Sequence, residues 1–154
     1  MISIIAAVGP NGELGKDNQL VYDSKEDMRF FQKTTLDHKV VMGLNTFKSI
    51  GKPLKNRENY VVAHTAESLP VGVVHIMDFQ KFLTAFENTE EEIFICGGAS
   101  IYTQALPYAS NLYLTEFTAP REYDVRFPDF DKSLYEQIVV RHIPGGVISK
   151  YVRK

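Results

Sequence analysis

The sequence predicts an α/β fold with a mostly parallel central sheet and an antiparallel edge, and three observations predict it. The chain opens on an unbroken apolar run, Ile2–Val8, as a central strand covered on both faces requires. Short aliphatic runs then alternate with segments of helical spacing, the pattern of parallel strands joined by helical crossovers. Near the C-terminus two strand-like runs flank Pro144-Gly145-Gly146, a tight turn that pairs them antiparallel.

The elements follow in chain order. Gly9-Pro10-Asn11-Gly12-Glu13-Leu14-Gly15 is too rich in glycine for a helix and reads as a loop. From Asp23 to Leu36 the spacing is helical. Ser24 is a good N-cap, and Asp27 stands at the third helical position, where a capping-box acid reaches back. Val40-Val41-Met42 is a buried strand ending at Gly43, and a short helix runs from Asn45 to Ile50. Strands follow at Tyr60–Ala63, Val73–Ile76 and Ile93–Ile95, with helices from Asp78 to Phe86 and from Ser100 to Leu106. A strand at Asn111–Phe117 leads through a polar loop, Arg121 to Lys132, to the final strands, Tyr135–His142 and Val147–Val152. About four helices therefore flank the sheet. No repeat or linker interrupts the 154 residues, so one domain, 1–154, is expected.

Composition excludes several functions. A net charge of -2, with both signs scattered along the chain, argues against nucleic acid, whose binders carry a basic patch or stripe. The single cysteine, Cys96, cannot form an intrachain disulfide and suits a reducing compartment. The apolar opening run is too short to span a bilayer and has no basic segment before it, so it reads as neither anchor nor signal peptide. A cytoplasmic protein with no membrane partner is expected. With no exposed apolar repeat in the pattern, a monomer is expected too.

Asp27 is the residue with the most chemical promise. Helical geometry puts Met28 and Phe31 on one side of it and Phe30 on the other, so the carboxylate projects from the apolar face. One reading is a first-turn acid that favours the helix dipole. The other is a desolvated carboxyl with a raised pKa, suited to hydrogen-bond an N–H-rich heterocycle or assist a proton transfer.

The turn Ile95-Cys96-Gly97-Gly98-Ala99-Ser100-Ile101-Tyr102 ends a strand and starts a helix, an arrangement that offers free N–H groups to a pyrophosphate. A plain tight turn is the commoner explanation of such a Gly-Gly pair. Gly43-Leu44-Asn45-Thr46 repeats the strand-to-helix logic, although no dinucleotide glycine fingerprint or phosphate loop is present. Cys96 reads as a nucleophile or, more simply, as a small wall residue. Arg57 reads as a surface charge or as a fork for a ligand carboxylate, and Tyr102 as core. The four histidines show no metal spacing, so no metal is expected.

In this order the motifs resemble the dihydrofolate reductase family across nearly the whole chain. Met1–Ala7 resembles its first strand, Gly15–Leu20 its mobile active-site loop, and Lys25–Phe31 the helix that bears its single acid. Val41-Met42-Gly43, Thr46–Leu54, Arg57, Gly97–Tyr102, Leu112–Thr115 and Phe127-Pro128 continue the series. The resemblance implies reduction of 7,8-dihydrofolate to tetrahydrofolate by hydride from NADPH, and binding of antifolates.

It also implies roles. Asp27, supported by Thr115, would bind the pterin and promote its protonation, with water supplying the proton. Ile5, Ala6, Met28, Phe31, Ile50, Leu54, Cys96 and Tyr102 would line the substrate side, and Arg57 would hold the glutamate carboxylate of folate. Ala7, Leu14, Gly15, Asn18 and Leu20 would line the nicotinamide side, with Cys96 contributing to the walls of both sides. Gly43, Asn45, Thr46, Ala63, His64, Thr65, Gly97, Gly98, Ala99, Ser100, Ile101, Tyr102 and Gln104 would hold the rest of the dinucleotide. Gly97 and Gly98 would share a cis peptide.

Two departures stand out. Val21-Tyr22 replaces the family's Pro-Trp, so Tyr22 is expected to offer a hydroxyl where the family has an indole N–H. Leu44 and Asn45, and Ser100 after the Gly-Gly turn, stand where the family tends to carry basic residues for the 2′-phosphate, with His64, Thr65, Lys48 and Ser100 as partial compensation. NADPH with weaker discrimination against NADH is therefore expected. Two other classes remain at this point: a reductase of another heterocycle, like the related riboflavin-pathway enzymes, and a folate- or nucleotide-binding module without turnover.

Overall fold

A computed structural model describes residues 1–66 and 69–154. In chain order the elements are β1 (Ile2–Val8), β2 (Glu13–Lys16), β3 (Gln19–Leu20), α1 (Lys25–Thr35), β4 (Lys39–Gly43), α2 (Leu44–Ile50), β5 (Glu58–Val62), β6 (Val73–Ile76), α3 (Phe79–Phe86), β7 (Ile93–Ile95), α4 (Ala99–Ala105), β8 (Ala109–Phe117), β9 (Val125–Arg126), β10 (Tyr135–Ile143) and β11 (Gly146–Arg153). The main sheet has eight strands in the order β10-β11-β8-β1-β7-β4-β5-β6. Its pairs are parallel from β8 to β6, and β11 joins β8 and β10 antiparallel. This is the expected architecture, with four α-helices among the described residues.

The continuous apolar run works as expected. All seven residues of β1 are buried, because the strand sits in the middle of the sheet with apolar clusters on both faces. Residues Ile2, Ile4, Ala6 and Val8 face one cluster with Leu112, Leu114, Ile101 and Tyr102. Ile5 faces the other, with Val40, Met42 and Phe94, against which Phe30 and Phe31 of α1 pack. Burying side chains of this kind contributes roughly 1.5–3 kcal/mol each before entropy is counted.

A second, three-stranded sheet, β3-β2-β9, lies outside the expectation. It occupies the end of the glycine-rich loop, the Gly15–Leu20 stretch likened to a mobile loop, and the polar segment after β8, none of them read from the sequence as strand. Its strands have four, two and two residues, too short for an alternating pattern to register. Elsewhere the ends moved by one or two residues. Asp78 caps α3 through its side chain rather than lying inside it, and Ser24 does the same for α1.

Candidate active site

Helices α1 and α2 pack on one face of the central parallel strands and α4 on the other, and α2 and α4 begin just after the C-terminal ends of β4 and β7, the usual position of a ligand crevice in open α/β folds. Asp27 enters it from the first turn of α1. Its backbone N–H donates to Ser24 Oγ at 3.2 Å, but its carboxylate does not reach back to complete a capping box. Oδ1 instead accepts a hydrogen bond of 2.6 Å from Thr115 Oγ1 on β8. Ser24 Oγ meets Glu26 Oε2 at 3.4 Å, so the neighbouring acid takes the local position. Tertiary pairing has overridden the capping reading of Asp27. Burial pushes the Asp27 carboxyl above its ordinary range, and the Thr115 hydroxyl pulls part of the way back. No cation pairs with Asp27 among the described residues.

Arg57 is not a free surface charge. Its Nη2 donates to the backbone carbonyl and the side chain of Gln32, at 2.6 and 2.8 Å, and Nη1 to the Lys55 carbonyl at 2.6 Å. Nε donates to Thr35 Oγ1 at 3.1 Å, and that hydroxyl in turn donates to the Phe31 carbonyl at 2.8 Å. The guanidinium is thus docked on the last turns of α1, where a cation suits the helix dipole, with no carboxylate partner among the described residues. Asn59, buried at the start of β5, fixes the loop before it by exchanging hydrogen bonds of 2.9 Å with Leu54 and reaching the Arg57 carbonyl at 3.1 Å.

Of the expected walls, Ile5, Phe31, Leu54 and Cys96 come together in one apolar cluster. Met28 shares the helix face of Phe31 one turn earlier and is half exposed, as is Ile50 at the end of α2. Strand alternation sends the Ala6 side chain to the opposite face, into the cluster of Tyr102 and Leu14. The Cys96 thiol is pushed up to about 12 by burial, which leaves it inert as a nucleophile and supports the wall reading. Tyr102 is core, yet its hydroxyl donates to the Ile5 carbonyl at 2.8 Å and so ties α4 to β1 beneath the site.

The dinucleotide candidates gather at two neighbouring strand ends. The Gly43 N–H donates to the Gly97 carbonyl at 2.9 Å, which joins the ends of β4 and β7. The peptide between Gly97 and Gly98 is cis. Neither α2 nor α4, which begin here, has a side-chain cap, so no capping side chain engages their first-turn N–H groups. Glycine is needed for the close packing. A Cβ on Gly43 would lie 3.1 Å from Ile101, and one on Gly98 3.3 Å from Thr46 Oγ1. Asn45, His64, Thr65, Ser100 and Gln104 are exposed around these turns. Ser100 Oγ accepts from Gln104 at 3.1 Å, while Ala63 is buried and donates to the Ile76 carbonyl at 3.1 Å. Two adjacent uncapped helix starts and glycine backbones fit a pyrophosphate.

The residues expected on the nicotinamide side, Leu14, Gly15, Asn18 and Leu20, lie on β2, β3 and the turn between them, and Ser49 of α2 donates to the Asn18 carbonyl at 3.2 Å. Ala7 packs with Tyr22 and Phe117. Tyr22 does not offer its hydroxyl to this side of Asp27. The phenol is stacked on Phe117, 4.5 Å between centroids, and donates to the Ala119 carbonyl at 2.6 Å. The expected indole-like role is therefore withdrawn: the aromatic ring is retained by packing while the hydroxyl serves the loop.

Sequence reasoning passed over Glu13, Thr35, Asn59 and Ser49. Thr35 and Asn59 carried a usable signal, being polar residues inside runs whose spacing marks them as buried. Glu13 had none, because it sits among glycines.

The family model described as Dihydrofolate reductase matches residues 1–146. The dihydrofolate reductase of Bacillus subtilis (strain 168) is 39% identical over 138 residues, 90% of this chain and 82% of that protein. Dihydrofolate reductase type 3 of Salmonella typhimurium is 40% identical over 130 residues, 84% of this chain and 80% of that protein. Among solved structures, a dihydrofolate reductase from Enterococcus faecalis complexed with NADP(H) and RAB-propyl has a TM-score of 0.86 at 25% identity, over 99% of this chain and 96% of that one.

Proposed function

The chain belongs to the dihydrofolate reductase family, and on that premise we infer that it reduces 7,8-dihydrofolate to tetrahydrofolate with hydride from NADPH. One observation carries the assignment of roles: the Asp27 carboxylate, on the helix whose Phe30 and Phe31 pack into the apolar core, is raised in pKa by burial and has a hydroxyl partner and no cation among the described residues. Such a group hydrogen-bonds the N–H edge of a pterin and favours protonation of the ring nitrogen, the proton coming from water. Thr115 orients the carboxylate through its hydrogen bond. Ile5, Phe31, Leu54 and Cys96 exclude water from the ring faces, which strengthens that electrostatic interaction. Arg57, held rigid by Gln32, Thr35 and Lys55, takes the glutamate carboxylate.

NADPH, when bound, supplies the hydride. Gly43, Thr46 and the turn from Gly97 to Ser100 would hold its pyrophosphate through backbone N–H groups. Leu14, Gly15, Asn18 and Leu20 would cover the nicotinamide. Leu44 is packed against the core and Ser100 is occupied by Gln104, so neither supplies a charge for the 2′-phosphate. Lys48 is exposed on α2 and is the cation we assign to it. Discrimination against NADH should accordingly be modest. The crevice is built within one chain, which suits a monomer. Among the described residues no helix is long and apolar enough to cross a membrane, and we assign the protein to the cytoplasm.

The test is direct. Purified protein mixed with dihydrofolate and NADPH should oxidise the cofactor, and an antifolate such as methotrexate should stop it. Binding of both ligands without oxidation would convert the reading to a binding module. A higher kcat/KM with NADH than with NADPH would reverse the cofactor preference.

A further inference from the structure

The carboxylate of Glu13 is the meeting point of three segments. Its side chain is wholly buried, at 0% exposure. One oxygen accepts the Asn11 N–H at 2.5 Å and the other the Arg121 N–H at 3.1 Å, while the Glu13 carbonyl accepts the Gly9 N–H at 3.0 Å. The Arg121 guanidinium does not pair with it; it lies over the Tyr22 ring, 5.6 Å from the centroid. Burial by itself would raise its pKa, but hydrogen bonds from its own backbone N–H, from the Arg121 and Asn11 N–H groups and from the Asn11 side chain outweigh it and hold the charge without a cation among the described residues. Gly9 makes the room. A Cβ there would stand 2.0 Å from the Tyr22 hydroxyl and 2.8 Å from the Glu13 carboxyl carbon.

The other ties on this segment are weaker in kind. β2 pairs with β3 and β9 through only two residue pairs each. The Lys16–Glu122 ion pair of 2.7 Å and the Asp17 N–H bond of 3.1 Å to Asp124 are both exposed, where water and salt screen them. The Glu13 carboxylate is the buried one, and charge-assisted bonds to N–H groups are stronger than neutral ones.

We propose that Glu13 is a positioning residue for the cofactor half of the site. Its buried carboxylate locks the Pro10–Gly12 turn and the Ala119–Glu122 segment onto β2, and so fixes Leu14 and Gly15, which follow it directly, together with the turn that carries Asn18 and Leu20. Asp27 and Arg57 stand on α1 and beside β5 and share no contact with it, so the effect is confined to the cofactor side. The inference rests on the reductase reading for its kinetic consequence but not for its structural one.

Glu13→Gln, which keeps the shape and removes the charge, should raise KM for NADPH by about three- to tenfold and leave KM for dihydrofolate within about twofold. In the ligand-free protein, amide exchange should accelerate at Asn11, Leu14, Gly15 and Arg121, with β1 and β8 amides unchanged. Equal acceleration across β1 and β8 would mean a merely structural role and overturn the proposal, as would unchanged exchange in the loops. Should Glu13→Gln fail to fold, Glu13→Asp keeps the charge and draws it back from the Asn11 and Arg121 N–H groups. It should reproduce the loop exchange at smaller amplitude, and its failure to do so would likewise overturn the proposal. If the unmodified protein oxidises no NADPH, the reductase reading falls, while the exchange result still decides the role of Glu13.

Discussion

Helices α1 and α4 both begin beside the crevice, and they begin differently. In α1, Ser24 caps the first turn and the two helical acids that follow have partners, Thr115 and Ser24. In α4 the cap position is Gly98, which has no side chain to offer, and α2 repeats the arrangement with Gly43. The substrate half of the site is thus satisfied within the protein and arrives preorganised. The cofactor half presents donors whose natural partner is an anion from outside. On the roles proposed above, the same physical group, a helix N-terminus, is closed in one half to hold a residue still and open in the other to bind.

If that division is right, changes on the α1 side should strike chemistry and those on the α2 and α4 side should strike cofactor binding. The largest effect is expected from Asp27→Asn. Turnover at neutral pH should fall on the order of 10²-fold or more, because the amide cannot favour ring protonation as a carboxylate does. Stability should move the other way. A carboxyl whose folded pKa lies above its unfolded value stabilises the protein below the unfolded value, and that contribution is lost as pH rises through the folded one. With Asp27 raised by burial, Asp27→Asn should match the parent in acid and exceed it in melting temperature above the Asp27 titration. Melting scans across pH check this, and a variant less stable at neutral pH would remove the desolvation argument.

Arg57→Lys should come next. Lysine cannot reproduce the fork that engages Gln32, Thr35 and Lys55 at once, so KM for dihydrofolate should rise by about tenfold or more. A pterin substrate lacking the glutamate should be unaffected, and an equal loss for both would assign Arg57 to structure alone. On the other side, Gly43→Ala adds a Cβ 3.1 Å from Ile101 at the junction of the two open helix starts. It should raise KM for NADPH by about tenfold, about 1.4 kcal/mol, with Kd for dihydrofolate unchanged in equilibrium titrations. A shift in both ligands would blur the division between the halves.

The sequence made the two halves legible to different degrees. Apolar runs and glycine turns announced the main sheet, because burial on both faces and strand-to-helix junctions leave local signals. Asp27 was visible as an acid on an apolar face, but only the approach of Thr115 from β8, 88 residues away, decided between cap and site. Arg57 was ambiguous for the same reason, since Thr35 and Gln32 reach it from another element. The small sheet and Glu13 left no signal at all. Strands of two to four residues have no period, and a glutamate between glycines looks solvated until folding closes two loops over it.

Ser24→Ala is the mildest change and draws the sharpest line between holding and reacting. It removes the hydrogen bond from the Asp27 N–H at 3.2 Å, and with it the cap that distinguishes α1 from α4. Loss of such a cap costs typically about 1 kcal/mol of stability, seen as a lower midpoint in urea at unchanged m-value. The Asp27 carboxylate keeps its own partner, Thr115 at 2.6 Å, so kcat should stay within about twofold and KM for either ligand should not move. If kcat instead falls with stability, the position of Asp27 depends on the helix start rather than on the strand opposite, and β8 loses its place as the element that sets the acid.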